Sequence, residues 1–315
     1  MNNSAKATRA TRTIARLSAA LLVLFAATVW AQQPRFLSLT PPEGLPVIPV
    51  LEGWVALEDG SRGFSYGVIN RNDVPVEIPQ GEKNYLEPAR YNGFQPTHFP
   101  PGRGTGIFYI VVSPEDADID VWWYLQTGDS EVLKVPGRAS QSAYELDFIR
   151  PRPQGGLQPW VSFGDTDDLS PGLLASIKDY PGRVATGEEI SLTVTARDPS
   201  ERDPTDPRFE EPLDMGVEFN KYQGPGEVTF SRDPNAPEPE NPYEEDDPRF
   251  SRWTPPEANE ATIEGGAGSV VVNVSFSAPG EYLIHAKINN FTAPDSSNGD
   301  QCCWTNVYQR VQVTR

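Results

Sequence analysis

The sequence predicts an all-β protein: two β-sandwich domains in tandem behind a signal peptide. Three observations carry this. Short stretches throughout the chain alternate apolar and polar residues with a period of two, the pattern of a half-buried strand. No apolar pattern keeps a helical period for longer than one turn. Gly, Pro and Asp cluster between the alternating stretches, where antiparallel turns are needed. At 315 residues the chain is long enough for two ordinary domains, each with its own core.

Residues 1–31 have the layout of a signal peptide: a basic region through Arg16, an apolar run from Leu17 to Val29, and a Val29-Trp30-Ala31 site before Gln32. Cleavage is expected after Ala31, giving a periplasmic or extracellular protein. The competing reading, an uncleaved anchor, meets an apolar run shorter than the roughly 20 residues a span needs. No later stretch is apolar for long enough to cross a membrane, and no cysteine near the cleavage site offers a lipid anchor. The formal net charge is −18, and the first 31 residues hold Lys6, Arg9, Arg12 and Arg16 with no acid, so the remainder is more acidic still. Such a surface repels phosphate backbones and anionic membranes, which argues against nucleic acid as a partner.

The first domain is expected over 32–160. After an extended, proline-bearing lead-in, GWVALED (53–59) and GFSYGVIN (63–70) read as a hairpin turning at Asp59-Gly60, with Phe64, Tyr66 and Val68 on one face. RNDVPVEIPQG (71–81) is a turn and a short edge strand, since its prolines cannot donate ladder hydrogen bonds. GIFYIVV (106–112) is the most apolar strand, and DVWWYLQ (120–126) with EVLKV (131–135) forms a second hairpin around Thr127-Gly128-Asp129. Short strands at this spacing, without helices, are the pattern of an immunoglobulin-like or fibronectin-like sandwich.

Stretches 149–160 and 164–172 are rich in Pro, Gly and Asp without alternation, and place a linker at 161–172. The second domain, 173–315, is read from EEISLTVTARD (188–198), GVEFNKY (216–222), EVTF (227–230), SVVVNVSFS (269–277), EYLIHAKIN (281–289) and a terminal NVYQRVQVTR. The inward sets are Ile190, Leu192, Val194 and Ala196; Val270, Val272, Val274 and Phe276; Tyr282, Ile284, Ala286 and Ile288; and Val307, Val311 and Val313. The run Phe276-Ser-Ala-Pro-Gly-Glu-Tyr282 with the closing Val-Gln-Val strand resembles the last strands of PKD-type and bacterial immunoglobulin-like domains. PKD-type domains usually carry a Trp or Asp pattern in the central strand, whereas Val217-Glu218-Phe219-Asn220 stands here. GFQPTHFPPGRGTGIFYI (93–110), KYQGPGEVTF (221–230) and QCCWTN (301–306) also resemble a family of uncharacterised secreted bacterial proteins, a likeness that implies no activity.

Two Pro-, Asp- and Glu-rich segments, 198–214 and 231–260, interrupt the second domain and read as long solvated loops. They could offer carboxylates to Ca²⁺, but the spacing of a calcium loop is absent and prolines break each acidic run. No other cofactor is implied. The only histidines are His98 and His285, too few for a three-histidine zinc site. His285 reads as a surface residue on the outward face of its strand, beside Leu283 and Lys287. His98 lies in a loop with Gln95, Thr97, Phe99 and Arg103; no GxSxG elbow accompanies it, so a satisfied loop histidine is the stronger reading than a general base.

Alternation in DVWWYLQ turns Val121, Trp123 and Leu125 to one face and Trp122 with Tyr124 to the other. The second pair either packs under a loop or linker, the stronger reading, or stands exposed as a platform for sugar rings or a protein partner. Cys302 and Cys303 are the only cysteines, and export favours their oxidation. Neighbouring Cα atoms lie about 3.8 Å apart, under the roughly 4.4 Å at which disulfides begin, so a vicinal bridge needs a tight turn before Trp304. SSNGDQ supplies one; free thiols or an intermolecular bridge are the alternatives. The candidate binding residues are therefore Trp122, Tyr124, His98, Arg103 and Trp304. The leading expectation is a non-catalytic binding or adhesion module for a glycan or envelope protein, ahead of a structural subunit of an envelope assembly and of a secreted hydrolase.

Overall fold

The computed structural model describes residues 44–146, 156–164, 168–203, 205–208, 213–234, 236–290 and 303–315. Residues 1–31, read as a signal peptide, Cys302 and most of the connection 289–306 lie outside the described residues. Among those described, no helix is long and apolar enough to cross a membrane.

The chain is all-β, as expected. In the first half, β1 (Ile48–Ala56), β2 (Arg62–Asn70) and β6 (Gly102–Val112) form one antiparallel sheet. A second contains β4 (Asn84–Glu87), β7 (Val121–Leu125) and β8 (Leu133–Gly137), while β3 (Val76–Glu77) and β5 (His98–Phe99) make a two-stranded ladder. The two three-stranded sheets close over Phe64, Tyr66, Val68, Phe108, Trp123 and Leu125. The alternation of β7 explains its place: Val121, Trp123 and Leu125 are buried, whereas Trp122 and Tyr124 are only half-buried. Asn84 fixes the less regular part, because its amide donates to the carbonyls of Ile78 and Pro96 and accepts the Trp123 indole N–H at 2.9 Å. A buried amide with both N–H groups and its oxygen engaged specifies a unique arrangement of the loops it ties together.

The second half is a larger sandwich. One sheet runs β10 (Ser176–Ala185), β17 (Trp304–Thr314), β16 (Gly280–Asn289), β12 (Met215–Gln223), β14 (Glu260–Ile263). The facing sheet runs β13 (Val228–Arg232), β15 (Ala267–Phe276), β11 (Ile190–Arg197), β9 (Trp160–Phe163). All neighbours are antiparallel except β10 and β17, whose parallel ladder is broken between Asp179 and Arg183, where Pro181 removes a donor. The inward residues read from the sequence form this core, Val270 only partly buried at its margin. The stretch read as a linker, 161–172, supplies most of β9, whose Val161, Ser162 and Phe163 pair with β11. Its Pro/Gly/Asp composition reflects the turn that follows, and a four-residue strand is too short to show alternation.

The outer face of the five-stranded sheet departs from simple alternation. In β16 and β17, residues of both faces are buried, because the first sandwich lies against them. Trp304 and Leu173 meet Val55, Tyr109 and Leu146, and Tyr222, Leu283 and Tyr308 meet Phe94. Backbone and side chain cross the contact together: Thr97 N–H donates to the Tyr222 carbonyl at 2.9 Å, Tyr222 Oη to the Phe94 carbonyl at 2.7 Å, and Asn306 Nδ2 to the Gly106 carbonyl at 2.8 Å. Residues from Glu43 onward accordingly make one compact unit containing both sandwiches.

Candidate functional site

Two surfaces have the makings of a site. The first is a cleft of about 300 Å³ between the sandwiches, at the lower end of the range for small-molecule sites. One wall is the first half of β6, with Arg103, Thr105 and Ile107; the other is the outer face of β12 and β16, with Glu218, His285 and Lys287. Both histidines of the chain line it.

His98 is held at the cleft by a charged cluster. Its Nδ1 lies 2.6 Å from Glu77 Oε1, which also accepts the Lys221 ammonium at 2.8 Å from the other sandwich. Burial alone would raise the Glu77 carboxyl, but the hydrogen bonds from His98 and Lys221 outweigh it and hold the group below its usual range. The arrangement clamps one sandwich to the other.

His285 is not at the surface: only 5 % of it is exposed. The outward direction read from its strand is correct, but the first sandwich covers that face. Its ring stacks on Tyr308 with centroids 5.0 Å apart. Asn306 Nδ2 donates to the carbonyls of Gly106 and Leu173, which leaves Asn306 Oδ1 as the acceptor 3.0 Å from His285 Nε2. Nε2 therefore carries the hydrogen. Burial, aided by the nearby Lys287 charge and against the Asn306 hydrogen bond, pushes the imidazole down to about 4, so it is neutral at pH 7 with Nδ1 as an acceptor.

Lys287 is buried beside it, donating to the Thr105 carbonyl at 2.9 Å with its ammonium 4.8 Å over the Trp304 ring. Burial lowers its ammonium, while Glu218 and Glu52 act in the opposite sense. Glu52 accepts the Gly106 N–H at 2.7 Å and the Ser65 hydroxyl at 3.0 Å. Burial raises its carboxyl in spite of those bonds and of Lys287 and Arg103. Arg103 is exposed at the cleft, and its guanidinium makes no hydrogen bond or ion pair among the described residues.

The second surface is the outer face of the β4–β7–β8 sheet. Tyr85 and Tyr124 stand directly opposite on β4 and β7 and stack with centroids 4.6 Å apart and planes 4° from parallel. Lys134 on β8 places its ammonium 4.7 Å over Trp122 and 5.2 Å over Tyr124. Tyr124 Oη donates to Glu87 at 2.7 Å. This face was expected to be covered by the linker or the 93–104 loop. Among the described residues Tyr85, Trp122 and Tyr124 are each half-buried there, so their rings are neither closed over like the core nor fully exposed.

The residues singled out in the sequence thus separate. His98 and Arg103 meet in the cleft and Trp122 with Tyr124 on the sheet face, while Trp304 is 2 % exposed and packs between the sandwiches behind Lys287. Cys303 is buried next to it, and its expected partner lies outside the described residues. Tyr85, Glu77, Lys221 and Lys287 were missed. Tyr85 had a signal, the alternation of Asn84-Tyr85-Leu86-Glu87 between turns. Among the described residues no group of three or more His, Cys, Asp or Glu side chains is placed to hold a metal ion.

No protein-family model and no curated protein matches the sequence. Several solved structures resemble it distantly. The D0–D1 domain of intimin is 12 % identical, covering 86 % of this chain and 100 % of its own, with a TM-score of 0.24. CfaE, the adhesive subunit of CFA/I fimbria of enterotoxigenic Escherichia coli, is 8 % identical, covering 88 % and 82 %, with a TM-score of 0.24. A conjugative transposon lipoprotein from Bacteroides eggerthii is 6 % identical, covering 50 % and 97 %, with a TM-score of 0.24. These likenesses are too distant to bear on function.

Proposed function

We propose that the protein is an exported, non-catalytic binding module that takes a neutral glycan on the outer face of the β4–β7–β8 sheet. The observation that carries this reading is the half-buried row of Tyr85, Tyr124 and Trp122 on one sheet face. Aromatic rings beside a carboxylate and an ammonium match a sugar: C–H groups lie on the rings while Glu87 and Lys134 meet hydroxyls. The stack and the Lys134 contacts hold the rings before any ligand arrives, so little side-chain entropy is lost on binding. Export rests on the basic and then apolar N-terminal stretch.

Full-length protein on an array of β-1,4-linked hexasaccharides, chitohexaose and cellohexaose among them, is expected to retain at least one. Trp122→Ala and Tyr124→Ala should each weaken that affinity about tenfold or more. An empty array, or variants that bind like the parent, would speak for a structural subunit of an envelope assembly instead.

The vicinal Cys302–Cys303 bridge belongs to the same reading, as a rigid corner at the entry to β17. Alkylation of the unreduced, denatured protein followed by mass mapping should modify neither cysteine; two alkylated thiols would end that idea.

A further inference from the structure

The cleft between the sandwiches has features that the sheet-face reading leaves unused. We infer that it is a second binding site, for a sugar acid: a monoanionic, polyhydroxylated ring of the uronate class. The inference rests on the convergence of Arg103, Lys287, His285 and Glu218 on one cavity, and does not depend on the aromatic face.

The anion follows from Arg103. It stands at the cleft with a guanidinium unpaired among the described residues, although the chain carries 44 acidic side chains to 26 basic ones. A planar fork with five donors suits the bidentate geometry of a carboxylate. The buried Lys287 ammonium on the opposite wall adds positive potential where water is scarce.

The single charge follows from the acids. Glu218 is exposed on the same wall, directly across the ladder from Lys287, and Glu77 lies behind His98. A dianionic phosphate would meet both carboxylates and the acidic chain around them, whereas one carboxylate balances Arg103. The hydroxyls follow from the acceptors. His285 Nδ1 makes no hydrogen bond among the described residues, and the fixed amide of Asn306 keeps it unprotonated. Glu218 accepts only from Asn220 Nδ2, at 2.8 Å, among its described neighbours. Ligand hydroxyls are the donors that suit such acceptors. Pro100, Pro101, Ile107 and Val68 give the apolar wall against which the C–H side of a pyranose packs.

Saturation-transfer difference NMR on the full chain, with glucuronate and galacturonate as probes, tests this, because the method reads weak affinities. At least one uronate should give a saturable signal, and inorganic phosphate added as a competitor should leave that signal in place. Arg103→Met should weaken the uronate at least about tenfold, Arg103→Lys should restore part of the loss, and Trp122→Ala should leave it unchanged. Because Arg103 is exposed and its guanidinium is unpaired among the described residues, its variants should melt with the parent, so a lost signal reports binding. No signal from any uronate, equal binding by Arg103→Met, or displacement of the uronate by an equal concentration of phosphate would overturn the inference. A uronate signal lost in Trp122→Ala but not in Arg103→Met would assign the ligand to the sheet face and overturn it as well.

Discussion

Replacing Trp304 with alanine is expected to lower the unfolding free energy by about 3–5 kcal/mol, the range for deleting a fully buried large aromatic ring. Three features place it there. The indole closes the contact of Leu173 with Val55, Tyr109 and Leu146, so its loss leaves a cavity on both sides of the interface. Gly106 approaches so closely, at φ +61°, that a Cβ there would lie 2.6 Å from the ring, which makes the fit one of shape and not only of area. The ring also covers the Lys287 ammonium, whose burial is already costly. Gly106→Ala should be destabilising by itself, through the clash and the left-handed backbone, and less so when Trp304 is already alanine, because the clash is then gone. Urea titrations of the two single variants and the double variant measure the coupling. A Trp304→Ala loss under about 1 kcal/mol, or strict additivity, would mean that the sandwiches merely touch.

The second large effect is acid lability centred on His285. Its folded-state pKa of about 4 lies below the ordinary 6.5, so the unfolded chain takes up the proton first as pH falls. The contribution of the neutral ring is complete above pH 6.5 and is lost between there and pH 4, by about 3 kcal/mol in total. Other groups facing the interface modify this slope. Glu52, with its carboxyl raised by burial, binds its proton more tightly in the folded state and so opposes the loss as pH falls. Glu77, held low by His98 and Lys221, adds a loss at more acid pH, below its ordinary range. The Lys287 charge disfavours the imidazolium and so adds to the loss. Stability measured at intervals from pH 7.5 to pH 4 should fall steeply in the parent chain and much less in His285→Gln. Parallel profiles would show that His285 does not govern the transition.

The interior of each sandwich was legible in the sequence because alternation reports directly on a sheet with one wet face. Phe64, Tyr66 and Val68, and the set Tyr282, Ile284, Ala286 and Ile288, fall where a period of two puts them. The same rule misread the other face of β16. Alternation gives the direction of His285 and Lys287 but not what lies beyond, and their covering residues, Thr105 and Gly106 among them, are about 180 residues away in the chain. β9 was hidden in turn-like composition for the same reason: its partner β11 decides that it is a strand. On the aromatic side, periodicity separated Trp122 and Tyr124 from the core residue Trp123, but it did not show whether the sheet face would be covered.

Hydrogen–deuterium exchange on the full chain, with and without a saturating hexasaccharide retained on the array, tests the central claim most directly. Protection is expected in residues 84–87, 121–125 and 133–137, the three strands beneath Tyr85, Trp122, Tyr124 and Lys134. Unchanged exchange across all three strands, with protection elsewhere or nowhere, would contradict the assignment of this face as the glycan-binding surface.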